Sequence, residues 1–303
     1  MEHAHARGDR TADPAVHAHK LRIALALALL VLALEVAAYV RTGSLAILSD
    51  AGHLLIDISA LTIAYGSARL AQRPPTERRS YGHHRIEILA GLANGILLLG
   101  VGGFVFSQAI PRLASPPAVH GETVSLVGMA AIVSGLAGAY ILRESRHASL
   151  NVKAAYFHVL SDVASSAAVV AAGLGIALTG LYVLDPLAGI AIGALIVYGG
   201  IRLLREAGPI LLQAAPPGLD PERIRRAVVA LEGVASVHDL HLWSLTPGRH
   251  VATMHVVVDS ASTGRRDEVT MRVIKLLHDD FGIEHATIQA ERENPEHPGV
   301  VHA

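Results

Sequence analysis

Hydrophobic residues in this chain come in long runs. The first covers roughly 21–40 and, past Arg22 at its start, is interrupted only by Glu35. The second covers roughly 44–68 and carries Asp50, His53 and Asp57. The third, 88–110, and the fourth, 123–142, hold no charged residue. The fifth, about 151–177, begins with Lys153 and carries His158 and Asp162; the sixth, about 182–201, has Asp185 near its start. A bilayer core takes about 20 apolar residues per helix, so the pattern predicts six membrane spans.

The pattern changes after residue 201. Asp220-Pro221-Glu222 reads as an N-cap, a proline at the first helical position and an acidic first turn. That helix is expected to run to about Leu231 and stop at Gly233. Two strands follow, near 235–244 and 250–259, parted by the turn Thr246-Pro247-Gly248. A second amphipathic helix is expected from about Arg265 to Phe281, ending at Gly282, and a last strand over about 284–291. The order α-β-β-α-β suits a small two-layer α+β domain. The chain thus divides into a His-containing polar tail (1–20), a six-helix transmembrane domain (21–206), a second domain (207–291) and a loose tail (292–303). The polar first stretch has no apolar core or small-residue cleavage site, so no signal peptide is expected.

Composition sharpens this picture. Of 303 residues, 51% are hydrophobic and 17% charged, where soluble domains have about a quarter charged. The apolar excess excludes a disordered chain and argues against a purely soluble one. The net charge of −1 gives no footprint for nucleic acid. There is no cysteine, which removes disulfides, iron–sulfur clusters and thiolate metal sites. There are 18 histidines, so a metal site has to be built from His, Asp and Glu. Basic residues fix the orientation. Arg69, Arg73, Arg78, Arg79 and Arg85 fill one loop, and Arg143, Arg146 and Lys153 another, with Arg7, Arg10 and Lys20 in the N-terminal tail. The opposite loops hold only Arg41 and Arg112. The positive-inside rule then puts both termini and the α+β domain in the cytoplasm.

Charged groups inside spans are costly and persist where they face a partner, a cavity or a metal. His53 and Asp57 are four residues apart and share one helical face; His158 and Asp162 repeat the spacing in another helix. Two imidazoles and two carboxylates make a closed tetrahedral set suited to Zn²⁺. Other divalent ions remain open, because affinity alone does not separate first-row metals. The plainer reading of each pair is a hydrogen-bonded staple between helices. Two identical pairs in two spans favour the metal. Asp50, one turn before His53, and Glu35 read as proton relays, as supports for the ligands or as groups near an aqueous mouth. Asn94 reads as an interhelical hydrogen-bonding group, and Gly91/Gly95 and Gly189/Gly193 as close-packing pairs.

The stretch from Ser44 to Asp57, Ser-Leu-Ala-Ile-Leu-Ser-Asp-Ala-Gly-His-Leu-Leu-Ile-Asp, resembles the second span of the cation diffusion facilitator family. Tyr81-Gly82-His83-His84-Arg85-Ile86-Glu87 resembles the approach to its third span, 151–162 its fifth, and His238-Asp239-Leu240-His241-Leu242-Trp243 the first strand of its cytoplasmic domain. The similarity covers about 20–291. It implies a homodimeric exporter of divalent metal that exchanges metal for protons, multi-pass in a bacterial inner or plasma membrane. It implies a ferredoxin-like cytoplasmic domain. Histidine at the first position of the second-span motif is similar to the zinc-type members, so Zn²⁺ is the leading cargo and a regulatory ion. Co²⁺, Cd²⁺, Mn²⁺ or Fe²⁺ is the alternative main metal.

The resemblance also puts His238, His255 and Glu291 where the family binds zinc near the dimer interface. His83 and His84 lie where some members hold an exposed loop site. His241 and His250 have weaker claims, and Trp243 reads as a core or dimer-contact residue. His3, His5, His17 and His19 in the tail are spaced for weak chelation. Rival readings are a membrane-anchored metal sensor, which needs no intramembrane pairs, and an intramembrane metallo-hydrolase. The latter expects an H-E-x-x-H-like motif and an open coordination position, and neither is present; no enzyme activity is expected.

Overall fold

The computed structural model describes residues 14–71, 73–143 and 150–292; side chains at 14–21, 61, 64, 65, 68, 71, 150–155, 157, 158, 260, 261 and 263 lie outside that description. Six long helices come first: α1 (Pro14–Thr42), α2 (Leu45–Ala71), α3 (Arg85–Ala114), α4 (Gly121–Leu142), α5 (Leu150–Thr179) and α6 (Leu184–Leu211). The segments Arg22–Thr42, Arg85–Ala114, Gly121–Leu142, Val159–Thr179 and Leu184–Leu211 are long and apolar enough to cross a membrane. Among the described residues these are five candidate spans, where the apolar pattern predicts six. The other long helix is α2, which bears Asp50, His53 and Asp57. Large apolar side chains such as Leu30, Leu126, Leu178 and Leu195 point outward, the reverse of a water-soluble bundle and the arrangement lipid favours.

The chain divides into two compact units. The first draws on Met1–Ile63 and Asn94–Ile201, the second on Ala64–Ala93 and Arg202–Ala303. In the first, α4 and α5 approach most closely along a glycine seam. A Cβ at Gly121 would sit 2.5 Å from the Gly173 carbonyl oxygen, and one at Gly135 would sit 2.5 Å from Val163 Cγ2. Of the glycines expected to pack closely, Gly189 lies against Leu45 and Gly193 against Val105, whereas Gly91 has nothing within 4 Å.

The N-terminus of α2 is fixed by a residue far away in sequence. Asp185 of α6 is fully buried and accepts from the Leu45 N–H (2.7 Å), the Ala46 N–H (3.2 Å) and the Ser44 hydroxyl. A carboxylate there satisfies N–H groups that no helical partner can reach and complements the positive end of the helix dipole. The preceding turn needs Gly43, with φ of +67°, whose N–H donates to the Tyr39 carbonyl (2.7 Å). Asp185 thus stands in the first turn of α6 and caps α2 as well.

The second unit contains α7 (Pro221–Val229), β1 (Val234–Thr246), β2 (Arg249–Val258), a 3-10 turn (Ser260–Arg265), α8 (Arg266–Phe281) and β3 (His285–Arg292). Asp220 caps α7 through the Glu222 N–H at 3.0 Å, and Gly282, with φ of +64°, ends α8, as expected. The sheet order is β1-β2-β3, with β2 antiparallel to β1 and parallel to β3. A parallel neighbour needs a crossover, and α8 supplies it. Ile224 and Val228 of α7 and Val269, Val273 and Leu277 of α8 cover one sheet face, meeting Met254, Val256 and Val258 of β2. From Ala252 onward buried and partly exposed residues alternate along β2, which leaves His255 on the opposite, open face.

Candidate metal centres

The first centre lies in the first unit. His53 and Asp57 occupy successive turns of α2, and His53 Nε2 lies 3.5 Å from Asp57 Oδ2. From α5, Asp162 brings Oδ1 to 3.7 Å from the same nitrogen. Three ligand atoms thus lie within 4.8 Å of one another on partly buried side chains. Tetrahedral zinc with bonds of about 2 Å separates its ligand atoms by roughly 3.3 Å, so the donor set fits such an ion with little adjustment. His158 falls on α5 one turn before Asp162, but its side chain is outside the described residues.

Behind this cluster, on α2, stands Asp50. Its carboxylate accepts from the hydroxyls of Ser165 and Ser166 (2.8 Å for Ser166) on α5. Asp50 is one turn from His53, and the two serines are one turn from Asp162. A second cross-helix tie therefore runs parallel to the ligand cluster. A cavity of about 50 Å³ is lined by Glu35, Asp50, His53, Asp162, Ser134 and Ser166 among others. It is roomy and polar enough for water. The sequence picks out Asp50 and Glu35 but not the serines. Asn94, expected to bond to another helix, has a buried Oδ1 with no hydrogen-bond partner among the described residues.

The second centre lies on the open face of the sheet. His238 of β1 and His255 of β2 are register partners, and their rings meet edge to face with centroids 5.1 Å apart. Glu291 of β3 spans both: Oε2 is 3.3 Å from His238 Nε2, and Oε1 is 3.0 Å from His255 Nδ1. These three ligand atoms also lie within 4.8 Å of one another. Gln289 donates to Glu291 at 2.8 Å and holds the carboxylate in place. Sequence reasoning missed Asp239. It adopts φ of +52° in the irregularity of β1 between His238 and His241, and its Oδ2 lies 3.7 Å from His255 Nε2. The left-handed conformation is one that Asp and Asn tolerate.

The remaining histidines are used otherwise. His241 pairs with Asp239 at 2.9 Å, and His250 with the Ser244 hydroxyl at 3.0 Å. His83 and His84 gather no third carboxylate or imidazole among the described residues. Arg249 Nη1 donates to His84 Nε2 at 2.6 Å, and a guanidinium can only donate, so that nitrogen's lone pair is occupied. His3 and His5 lie outside the described residues, as do the side chains of His17 and His19.

The family model described as cation efflux transmembrane domain matches residues 21–212, and that described as cation efflux protein, cytoplasmic domain, matches 216–293. The chain belongs to the cation diffusion facilitator family. Among its relatives is the metal cation efflux system protein CzcD of Cupriavidus metallidurans, 37% identical, with 92% of this chain and 88% of that protein covered. The zinc transporter ZitB of Escherichia coli is 32% identical, covering 96% and 93%. A cadmium, cobalt and zinc/H(+)-K(+) antiporter of Bacillus subtilis is 33% identical, covering 86% and 84%. As a member of the zinc-type branch of this cation diffusion facilitator family, the chain is a multi-pass membrane protein of cation efflux.

Proposed function

We propose that this protein exports Zn²⁺ from the cytoplasm in exchange for protons, with His53, Asp57, His158 and Asp162 forming a tetrahedral site inside a bundle of six spans. The observation that carries this reading is the convergence of His53 Nε2, Asp57 Oδ2 and Asp162 Oδ1 from two helices. Each ligand must be deprotonated to hold the ion, so metal and protons compete for the same atoms. Two carboxylates offset the charge of the ion in a low-dielectric setting. Open to the cytoplasm, the site takes Zn²⁺ and releases protons. Open to the outside, it takes protons and releases Zn²⁺. Histidine suits the exchange because its ordinary pKa is near neutrality.

The basic loops support cytoplasmic termini. The family match of 216–293 to the cytoplasmic domain supports a ferredoxin-like, dimer-forming module. There His238, His255 and Glu291 would hold a second, regulatory Zn²⁺. The naming of one relative as a cadmium, cobalt and zinc antiporter supports Co²⁺ and Cd²⁺ as further cargo.

The test is flux in proteoliposomes holding the full chain under an imposed proton gradient. Asp162→Ala is expected to abolish Zn²⁺ movement and to lose an intramembrane binding event by calorimetry, while the protein still elutes as a folded species. Zinc flux indifferent to the proton gradient overturns the antiport. Flux unchanged in Asp162→Ala overturns the site, and no flux at all in the wild type favours the metal-sensor reading.

A further inference from the structure

The second unit contains a cavity of about 550 Å³ lined by Arg78, Arg79, Arg85, His83, His84 and Trp243. No aspartate or glutamate is among its lining residues. The neighbouring Arg249 has a carboxylate partner, Glu284 at 3.4 Å. Arg78, Arg79 and Arg85 have no carboxylate partner among the described residues. His84 takes the Arg249 guanidinium on Nε2, which leaves Nδ1 as its donor. The Nδ1 atom of His83 is buried with no hydrogen-bond partner among the described residues. The polar lining is thus dominated by cations and donors, the chemistry of an anion site. Three arginines lining one cavity disfavour a metal cation there.

The cavity's position in the chain narrows the anion. Arg85 is the first residue of α3, and Gln213 borders the cavity just past the end of α6; both helices are candidate spans. Gln213 adopts φ of +56°, a conformation rare for a residue with a Cβ and one that marks constrained sites. Residues at the ends of two spans sit at the depth of lipid headgroups, where arginine and tryptophan meet phosphate.

We propose that this cavity binds the phosphate of an anionic phospholipid headgroup. The guanidiniums pair with the phosphodiester, and the Trp243 ring packs beside it. This goes beyond the transport reading and does not rest on the identity of the exported metal.

The chain has one tryptophan, so emission excited beyond the tyrosine absorption band reports this cavity alone. The experiment titrates full-length protein in neutral detergent with short-chain phosphatidylglycerol, with phosphatidylcholine of the same chain length, and with inorganic phosphate. Saturable change in Trp243 emission is expected with phosphatidylglycerol. Removing one arginine, as in Arg78→Gln or Arg79→Gln, is expected to weaken binding about fivefold. Arg78→Ala/Arg79→Ala/Arg85→Ala is expected to abolish it. The equally basic control Arg223→Ala/Arg226→Ala/Arg292→Ala, away from the cavity, is expected to bind as the wild type does. Equal response to phosphatidylcholine overturns the proposal, and so does undiminished affinity in both single variants. Inorganic phosphate binding as tightly as phosphatidylglycerol overturns the lipid source. The wild-type comparison of the two lipids stands even if the triple variant fails to fold.

Discussion

Asp50 is a residue whose neighbours set its meaning. An isolated carboxylate within a bundle is unfavourable, and here two hydroxyls, from Ser165 and Ser166, stabilise it. Because those serines follow Asp162 by one turn and Asp50 precedes His53 by one turn, the tie holds α2 and α5 at the spacing the proposed metal ligands require. Groups that orient metal ligands change affinity by about 10–100-fold when removed. Ser165→Ala/Ser166→Ala is therefore expected to raise the KM for Zn²⁺ by about tenfold or more while the maximal flux changes less; proteoliposome titration measures the split. A proportional fall in maximal flux with unchanged KM would mean that the serines do not position the ligands. The sequence makes the His53/Asp57 and His158/Asp162 pairs visible because an i, i+4 spacing fixes a shared face. It leaves Ser165 and Ser166 silent, because hydroxyls are ordinary in spans and their partner lies 115 residues away.

At the scale of elements, apolar runs locate helices but do not say which faces meet, since lipid and helix interior are equally apolar. Helix positions were thus legible, and so were the two strands that carry His238 and His255. Helix pairings were not. Gly91 looked like a packing residue and faces open space, while the seam formed by Gly121, Gly128 and Gly135 against α5 has no counterpart in the sequence reading. At Gly121 the obstruction is backbone, the Gly173 oxygen at 2.5 Å and the Ala177 nitrogen at 2.6 Å, so nothing flexible can yield. Gly121→Ala is expected to force α4 from α5 and to destabilise by about 1–3 kcal/mol, read as a lower thermal midpoint in detergent. Gly91→Ala, with space around it, is expected to leave the midpoint unchanged. Asp185 carries a similar lesson. Its three donors all belong to α2, so Asp185→Ala removes a cap worth about 0.5–2 kcal/mol. The loss is expected as faster hydrogen exchange at the Leu45 and Ala46 amides, at the start of the helix that carries His53.

For the molecule as a whole, two clusters built from the same ligand chemistry differ in what an ion does for them. The ligands of the proposed transport site must give up their ion in each cycle, so tight retention there would oppose function. The sheet-face cluster has no such constraint. His238 and His255 come from neighbouring strands and Glu291 from a third, so an ion held there ties all three strands of the sheet together. A ligand that binds only the folded state stabilises it by about 2.7 kcal/mol when its concentration is a hundredfold above Kd. Zn²⁺ added to the chelated full-length protein is therefore expected to raise the unfolding midpoint of the α+β domain. His255→Ala should remove most of that rise, and Asp162→Ala should preserve it. Acidification should weaken the effect, because protons compete for the same imidazoles and carboxylate. Circular dichroism followed through heating, with and without chelator, separates the two clusters: equal loss of the zinc-dependent rise in both variants would mean that the sheet-face residues do not bind the ion independently.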